Sequence, residues 1–491
     1  GAFSMVARGL TTNAAAVVPG GSKGGTTRRR LFGQAGAAAG ALAVVAACGP
    51  GPQAGGSPGA TAQSGTPSGP ARVQGRLQVV QVLDFHPDHN AFLKQTITNF
   101  AAQKNWPLDL SDLQGFLGGS DIYQKLQAQK AAGQPVDLIY HGLSAQRLKL
   151  FDLTRDATPL VNAMIEKYGA PYSGARASHL IEGRWVGLPF YSRVEGYWLR
   201  QDKLAEAGLD VGRSFERWES AVETLLRVSR PEQNFYGWGM TVNRSGDGEY
   251  LVWAVIHSWG GALADQSGQL VTLNTRETVE AVRWLASLYR DEAYRPMLPP
   301  GVNAWNDTSN NEAYLAGQIG FTFNAGTLYA KAQLDQNPVA GHTVLVPKPL
   351  GPAGNRLQSS SGHSLYFMNG SPNFDAAAEL AQHLLTDEVQ RELWRISQGY
   401  VVPAYQRRWD DPLITEHPVS STYRQIAFSE PPFPGNSWRG PITEASEAVG
   451  GENVITDMMG EILGGKAVEQ AVRDAHQRAV GIYQSFGLRG A

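Results

Sequence analysis

At 491 residues, with 42% hydrophobic and 18% charged residues, the chain exceeds one ordinary core and is expected to form two or three domains. A formal net charge of −2 supplies no basic field of the kind that displaces counterions from phosphates, so nucleic acid is not an expected partner. The one cysteine, Cys48, excludes an intrachain disulfide and any cysteine-rich metal centre.

In chain order, residues 1–4 read as an added tag before Met5, and residues 5–47 as an export signal. This stretch has no acidic residue. It carries Arg8, Lys23 and Arg28-Arg29-Arg30, then Leu31-Phe32 and an Ala/Gly/Val run over 33–47, too short to span a bilayer. Arg29-Arg30-Leu31-Phe32 resembles a twin-arginine signal, and Val45-Ala46-Ala47-Cys48 resembles a lipobox, which makes Cys48 the expected lipidation site. Removing 1–47 takes five basic groups from a charge of −2 and leaves −7. Two lipid chains on the cysteine would give stable attachment, where one is marginal. Residues 49–75 are rich in Gly, Pro and Ser and are expected to be a flexible tether. Two G-x-S-x-G matches, around Ser22 and Ser57, fall in this leader and tether without strand-turn-helix context and carry no hydrolase signal.

From Leu77 the pattern becomes strand-like, and a helix over about 91–104 follows with Leu93, Ile97, Phe100 and Ala101 on one face. A helix near 121–132 capped by Ser120 leads into an apolar strand over 136–140. The alternation continues with a strand at 185–190, helices at 215–228 and 275–290, a strand at 319–323 and a helix at 374–398. Two more helices over 453–486 are broken at Gly464-Gly465. Strands separated by helices predict α/β layers with largely parallel sheets, and such sheets bind ligands beyond the carboxyl ends of their strands.

Motifs for chemistry are sparse. No phosphate-binding loop, H-E-x-x-H, calcium loop or strand-borne G-x-G-x-x-G occurs. No cofactor or metal is therefore expected. His86-Pro87-Asp88-His89 reads first as a turn entering a helix, with Asp88 or Asn90 as N-cap, and only second as a metal cluster. Trp238, Trp259, Trp305 and Trp438 stand outside helix or strand spacing, in glycine-bordered or polar loops. An indole there can stack on a sugar ring or fold back as a lid on the core.

The run from His179 to Phe190, H-L-I-E-G-R-W-V-G-L-P-F, and the run Glu195 to Leu209, E-G-Y-W-L-R-Q-D-K-L-A-E-A-G-L, resemble the segment of extracellular solute-binding proteins of ABC transporters that crosses between lobes. Ser258-Trp-Gly-Gly-Ala-Leu263, Asn311 to Gly320 and Phe374 to Glu392 match further family motifs in the same order. The resemblance covers 77–483. It implies a two-lobed, type II periplasmic-binding fold of the α/β class, with a hinge-bending cleft. Lobe 1 would take 76–188 plus 361–402, and lobe 2 would take 190–358 plus 403–491.

Ligand positions carried over from the family are Phe85, His86 and Asp88 after the first strand, His141 and Ser144 after the 136–140 strand, and Tyr191 and Arg193 after Gly-Leu-Pro. Further along they fall on Tyr250, Trp259, Asn324 and Trp438, and Trp305 joins them as a polar-loop indole. Arg193 stands where the maltose-binding members carry a carboxylate, so the ligand's identity does not transfer, and an anionic ligand stays open. The expectation is a monomeric, lipid-anchored, non-enzymatic protein on the outer face of the cytoplasmic membrane. It would capture an oligosaccharide or derivative and deliver it to an ABC permease. Two alternatives stay open: the same fold with a sugar phosphate, polyamine or peptide, and a secreted glycan hydrolase.

Overall fold

Strand β1 (Leu77–Leu83) buries Leu77, Val79 and Val82 and pairs in parallel with β2 (Leu108–Gln114) and β3 (Leu138–His141). The helices Pro87–Gln103 and Ser120–Ala131 make the crossovers. The computed structural model describes residues 71–84, 86–114 and 120–491, so Cys48, the export signal, Phe85 and most of the tether lie outside the described residues. The first helix begins at His86, whose Nδ1 accepts from the His89 N–H at 3.4 Å. His86, not Asp88 or Asn90, is thus the cap. Pro87 takes the first helical position, where a missing N–H costs nothing, and Asn90 Oδ1 instead accepts from the Asp84 N–H at 2.8 Å.

A short hairpin of β4 (Leu180–Ile181) and β5 (Arg184–Trp185) precedes β6 (Leu188–Arg193). Val194 alone separates β6 from β7 (Glu195–Arg200), which belongs to a second sheet. That sheet is completed by β8 (Tyr236–Trp238), β9 (Ile319–Ala325) and β10 (Thr343–Val346), in the order β10-β7-β9-β8. The chain then returns to the first sheet through β11 (Ser361–Phe367) and β12 (Val401–Pro403), giving the order β12-β6-β11-β3-β1-β2.

The sheets are mixed rather than largely parallel. β11 runs against both β3 and β6, β12 against β6, and β7 against both β9 and β10. The correction has a topological cause. A strand reached by a direct step, or by a long return from the other sheet, need not follow the βαβ crossover that enforces parallel pairing.

Strand alternation explains how one strand serves two cores. On β7, Tyr197 and Leu199 enter the core beneath the helices Trp218–Val228, Gly246–Trp259 and Arg276–Arg290, whereas Trp198 enters the core shared with the first sheet. The Trp198 indole stacks on Tyr329 at 5.5 Å and donates to the Asn324 carbonyl at 2.9 Å. The helix expected over 275–290 forms as Arg276–Arg290 behind a Thr275 cap, with Ala281, Val282, Leu285 and Leu288 buried. The single helix expected over 374–398 is two, Phe374–Leu384 and Asp387–Ser397, separated by an extended Thr386.

Candidate functional site

Two adjoining cavities of about 550 Å³ and 370 Å³ open beside the point where β6 passes into β7. They share Ser359, Pro434, Gly435, Ile442 and Glu447 as walls, which makes them two parts of one cleft. The larger part is faced by Glu195 at the start of β7, Glu249 and Tyr250 on the helix Gly246–Trp259, and Phe323 on β9. The smaller part is faced by Ser144, Tyr172, His179 and the Ser360-Ser361-Gly362 segment entering β11.

Local sequence places Tyr250. Ser245 caps its helix by accepting from the Gly248 N–H at 3.0 Å, and Asp247 and Glu249 occupy the first turn, where the helix dipole favours negative charge. The Tyr250 ring then lies flat on Phe323, with centroids 3.4 Å apart and planes 11° from parallel. This stacked pair gives the larger cavity a rigid aromatic wall. Across the cleft, Ser144 caps the helix Ala145–Leu150 and donates its hydroxyl to the Glu447 carboxylate, at 2.9 Å and 2.7 Å from its two oxygens. Gln146 Nε2 donates to the Ile442 carbonyl at 2.7 Å and adds a second tie.

The site's electrostatics are dominated by carboxylates. Burial raises the pKa of Glu249, moderated by hydrogen bonds from Trp253 and Asn436, and burial likewise raises Glu447 against the help of Ser144 and Arg147. Glu195 is raised by burial too, although Arg193 and Ser361 favour its charge. Asp247, in the turn before Tyr250, is pushed up to about 7 by burial and by the neighbouring Asp307 charge.

Of the positions expected to bind ligand, the structure brings Ser144 and Tyr250 into the cleft wall. Asn324 lies just behind it, buried, with its amide 3.5 Å from Asp247 Oδ2. Arg193 also lies behind it. Its Nη2 donates to Ser361 Oγ at 3.2 Å, and that hydroxyl donates to Glu195 Oε2 at 2.9 Å. Burial opposes the Arg193 charge, but Tyr400, Glu195 and Asp84 outweigh it and hold its pKa above the ordinary value.

Tyr191 is fully buried in a knot of polar aromatics. Its hydroxyl lies 2.6 Å from that of Tyr140 and 2.7 Å from His363 Nδ1, while Tyr400 donates to Asp84 at 3.0 Å. His141, half-buried, stacks on His363 at 6.1 Å, and burial lowers its pKa to about 4. His86 is buried as a helix cap and Asp88 is exposed on the first turn.

The loop tryptophans divide. Trp238 is fully buried and donates to Tyr289 at 2.9 Å, so it is a core residue. Trp259 packs on Trp284 at 4.8 Å, at the opposite end of its helix from Tyr250. Trp305 leans on the shared core, and Trp438 lies edge-on to His257 at 5.4 Å beneath the Arg439 guanidinium.

Sequence reasoning missed Glu195, Glu249, Glu447 and Phe323. No local pattern singles them out, since each reads as an ordinary helix or strand residue. Among the described residues, no cluster of acidic, His or Cys side chains has the makings of a metal site, and no helix is long and apolar enough to cross a membrane.

Two sheets joined by crossing strands, with a walled cleft at the crossing, define a protein of the two-lobed, cleft-binding class. The chain belongs to the bacterial extracellular solute-binding protein family, whose sequence profile matches residues 95–419. Its fold is that of maltose-bound MalE3 of T. maritima, with TM-score 0.65 and 18% identity over 82% of this chain and 98% of that one. MalE of Xanthomonas citri is similar at TM-score 0.67 and 16% identity, covering 83% and 98%. A sugar transporter protein of Arthrobacter chlorophenolicus with bound laminaribiose follows at 0.64 and 14%, covering 82% and 98%. A relative from Deinococcus radiodurans, described as a "Probable ABC transporter-binding protein", is 22% identical over 280 residues. That match takes in 55% of this chain and 62% of the relative's length.

Proposed function

We propose that the protein is a non-enzymatic, monomeric receptor that captures a carbohydrate, an oligosaccharide or a derivative of one, in the cleft and delivers it to an ABC permease. In this reading it is held by Cys48 at the outer face of the cytoplasmic membrane. The observation that carries it is the stacked Tyr250–Phe323 wall of a 550 Å³ cavity. A flat apolar face ringed by hydrogen-bonding groups matches the two kinds of surface a sugar presents. The maltose and laminaribiose bound by its structural neighbours support the same class of ligand.

The lobes are 76–188 plus 361–402 and 190–358 plus 403–491, and they close when the ligand gains contacts from both. The ligand shifts that equilibrium only by what it gains on closure. Ser144–Glu447 and Gln146–Ile442 are hydrogen bonds that tie these two proposed lobes together.

Titration calorimetry with maltose, laminaribiose, amino acids and peptides tests the ligand class. Saturable binding of a sugar is expected, and binding of a peptide with none of any sugar overturns the reading. Release of new reducing ends from a polysaccharide would overturn the non-enzymatic part.

A further inference from the structure

The ionisable groups that face the larger cavity are Glu195, Glu249 and Glu447, and those that face the smaller are Glu447 and His179. Among the described residues, no lysine or arginine lines either cavity. His179 is buried and its pKa falls to about 4, so at neutral pH it brings no positive charge. The formal charge on the described cleft wall is therefore negative, carried by Glu195, Glu249 and the shared Glu447.

The three carboxylates differ in how their charge is met. Glu195 is answered by Arg193 through the Ser361 hydroxyl. Glu447 receives the Ser144 hydroxyl and is met in part by the charge of Arg147, whose guanidinium lies over the Tyr123 ring at 5.4 Å. Glu249 receives only neutral donors at Oε1, the Trp253 indole at 3.3 Å and the Asn436 amide at 3.2 Å. A carboxylate withdrawn from water without a counter-charge is costly, and a ligand cation removes that cost on binding. The cavity and the Tyr250 face point to a ligand independently of the charge, and an aromatic face of this kind also attracts cations.

We propose that the solute taken by this cleft carries a protonated amine, which lies against Glu249 and Glu447 while the body of the ligand stacks on Tyr250. The proposal rests on the carbohydrate-receptor reading in naming an amino sugar as the source of the amine. A polyamine offers the same chemistry without a sugar.

Calorimetry on the full chain at mildly acidic pH separates these, with three probes: the β-1,4 dimer of glucosamine, cellobiose and spermidine. The two disaccharides share a linkage and differ by ammonium for hydroxyl at each C2. A charge-assisted hydrogen bond predicts that the glucosamine dimer binds about tenfold or more tighter than cellobiose. Glu249→Gln and Glu447→Gln, each checked for an unchanged unfolding midpoint, should each shrink that ratio. Should one variant fail to fold, the other still tests the ratio.

Cellobiose binding as tightly as the amine overturns the charge inference and leaves the carbohydrate reading standing. Spermidine binding with neither disaccharide supports the charge inference and overturns the carbohydrate reading. Failure of all three probes overturns the charge inference, and the neutral-sugar titrations then judge the carbohydrate reading alone.

Discussion

Asp247 is the carboxylate whose surroundings oppose its charge enough to be read out as stability. It accepts from Asn310 Nδ2 at 2.9 Å, but burial and the Asp307 charge outweigh that bond and push its pKa from 3.8 up to about 7. The sign follows from proton counting. Between about pH 4 and pH 7 the folded state holds a proton at Asp247 that the unfolded state has released, so stability falls as pH rises through that window. Below the window both states are protonated, and above it the full cost is present.

A shift of about 3 units at about 1.36 kcal/mol each gives up to about 4 kcal/mol. Asp247→Asn removes the charge and keeps the shape. The variant should match the parent near pH 4 and exceed it by up to about 4 kcal/mol near pH 8. Urea unfolding followed by tryptophan fluorescence across that range measures both curves. Asp307→Asn adds a control, because losing its charge should move the window downward even as the Gly246 and Asp247 N–H groups, at 3.2 Å and 2.9 Å from its carboxylate, lose charge-assisted bonds. Parallel curves for parent and Asp247→Asn would refute the reasoning.

Tyr250→Ala should weaken ligand binding by about tenfold or more through loss of the stacked face, as calorimetry would show, and should also lower the unfolding midpoint, because its ring packs on Phe323 and beside Tyr197. Asp137, almost fully buried, accepts from the Gln78 N–H at 2.7 Å, the Ser371 hydroxyl at 2.6 Å and the Asn373 amide at 3.1 Å. Asp137→Ala leaves those donors orphaned and should cost about 3 kcal/mol or more in denaturant unfolding. Gly362→Ala would set a Cβ 2.2 Å from the Tyr191 carbonyl and 2.5 Å from the Tyr172 hydroxyl. Backbone cannot yield as a flexible side chain does, so a lowered melting temperature and weaker ligand binding are both expected, with a stability loss of about 2 kcal/mol or more.

What was legible in the sequence followed interaction range. The strand from Leu77, the Leu93-Ile97-Phe100 face and the helix behind Thr275 are written in residues a few positions apart, and they form as expected. The pairing of Tyr197 with Val346 joins residues with most of the second lobe between them, and no local period encodes it. The break at Thr386 is also locally written. Leu384-Leu-Thr-Asp-Glu places a threonine before two acidic residues, a helix-start pattern, and the structure opens a new helix there with Asp387 and Glu388 in its first turn.

The candidate site shows why residue type alone misleads about a cleft's charge. Arg193 invited an anionic ligand, because a guanidinium is never neutral and matches a carboxylate in shape. In the fold it is committed to Ser361 and surrounded by Glu195, Asp84 and Tyr400, so its charge is already met within the protein. The charge left facing the cleft belongs to residues with quieter sequence signatures. Glu249 reads as an ordinary first-turn acid and Glu447 as a surface residue of a short helix. A site's sign is set by whichever charges its own fold leaves unmet, and that balance depends on contacts such as Ser144 with Glu447, 303 positions apart. Ligand selectivity in this cleft should therefore respond more to Glu249 and Glu447 than to Arg193, whose loss would act first on Glu195 and the hinge strand.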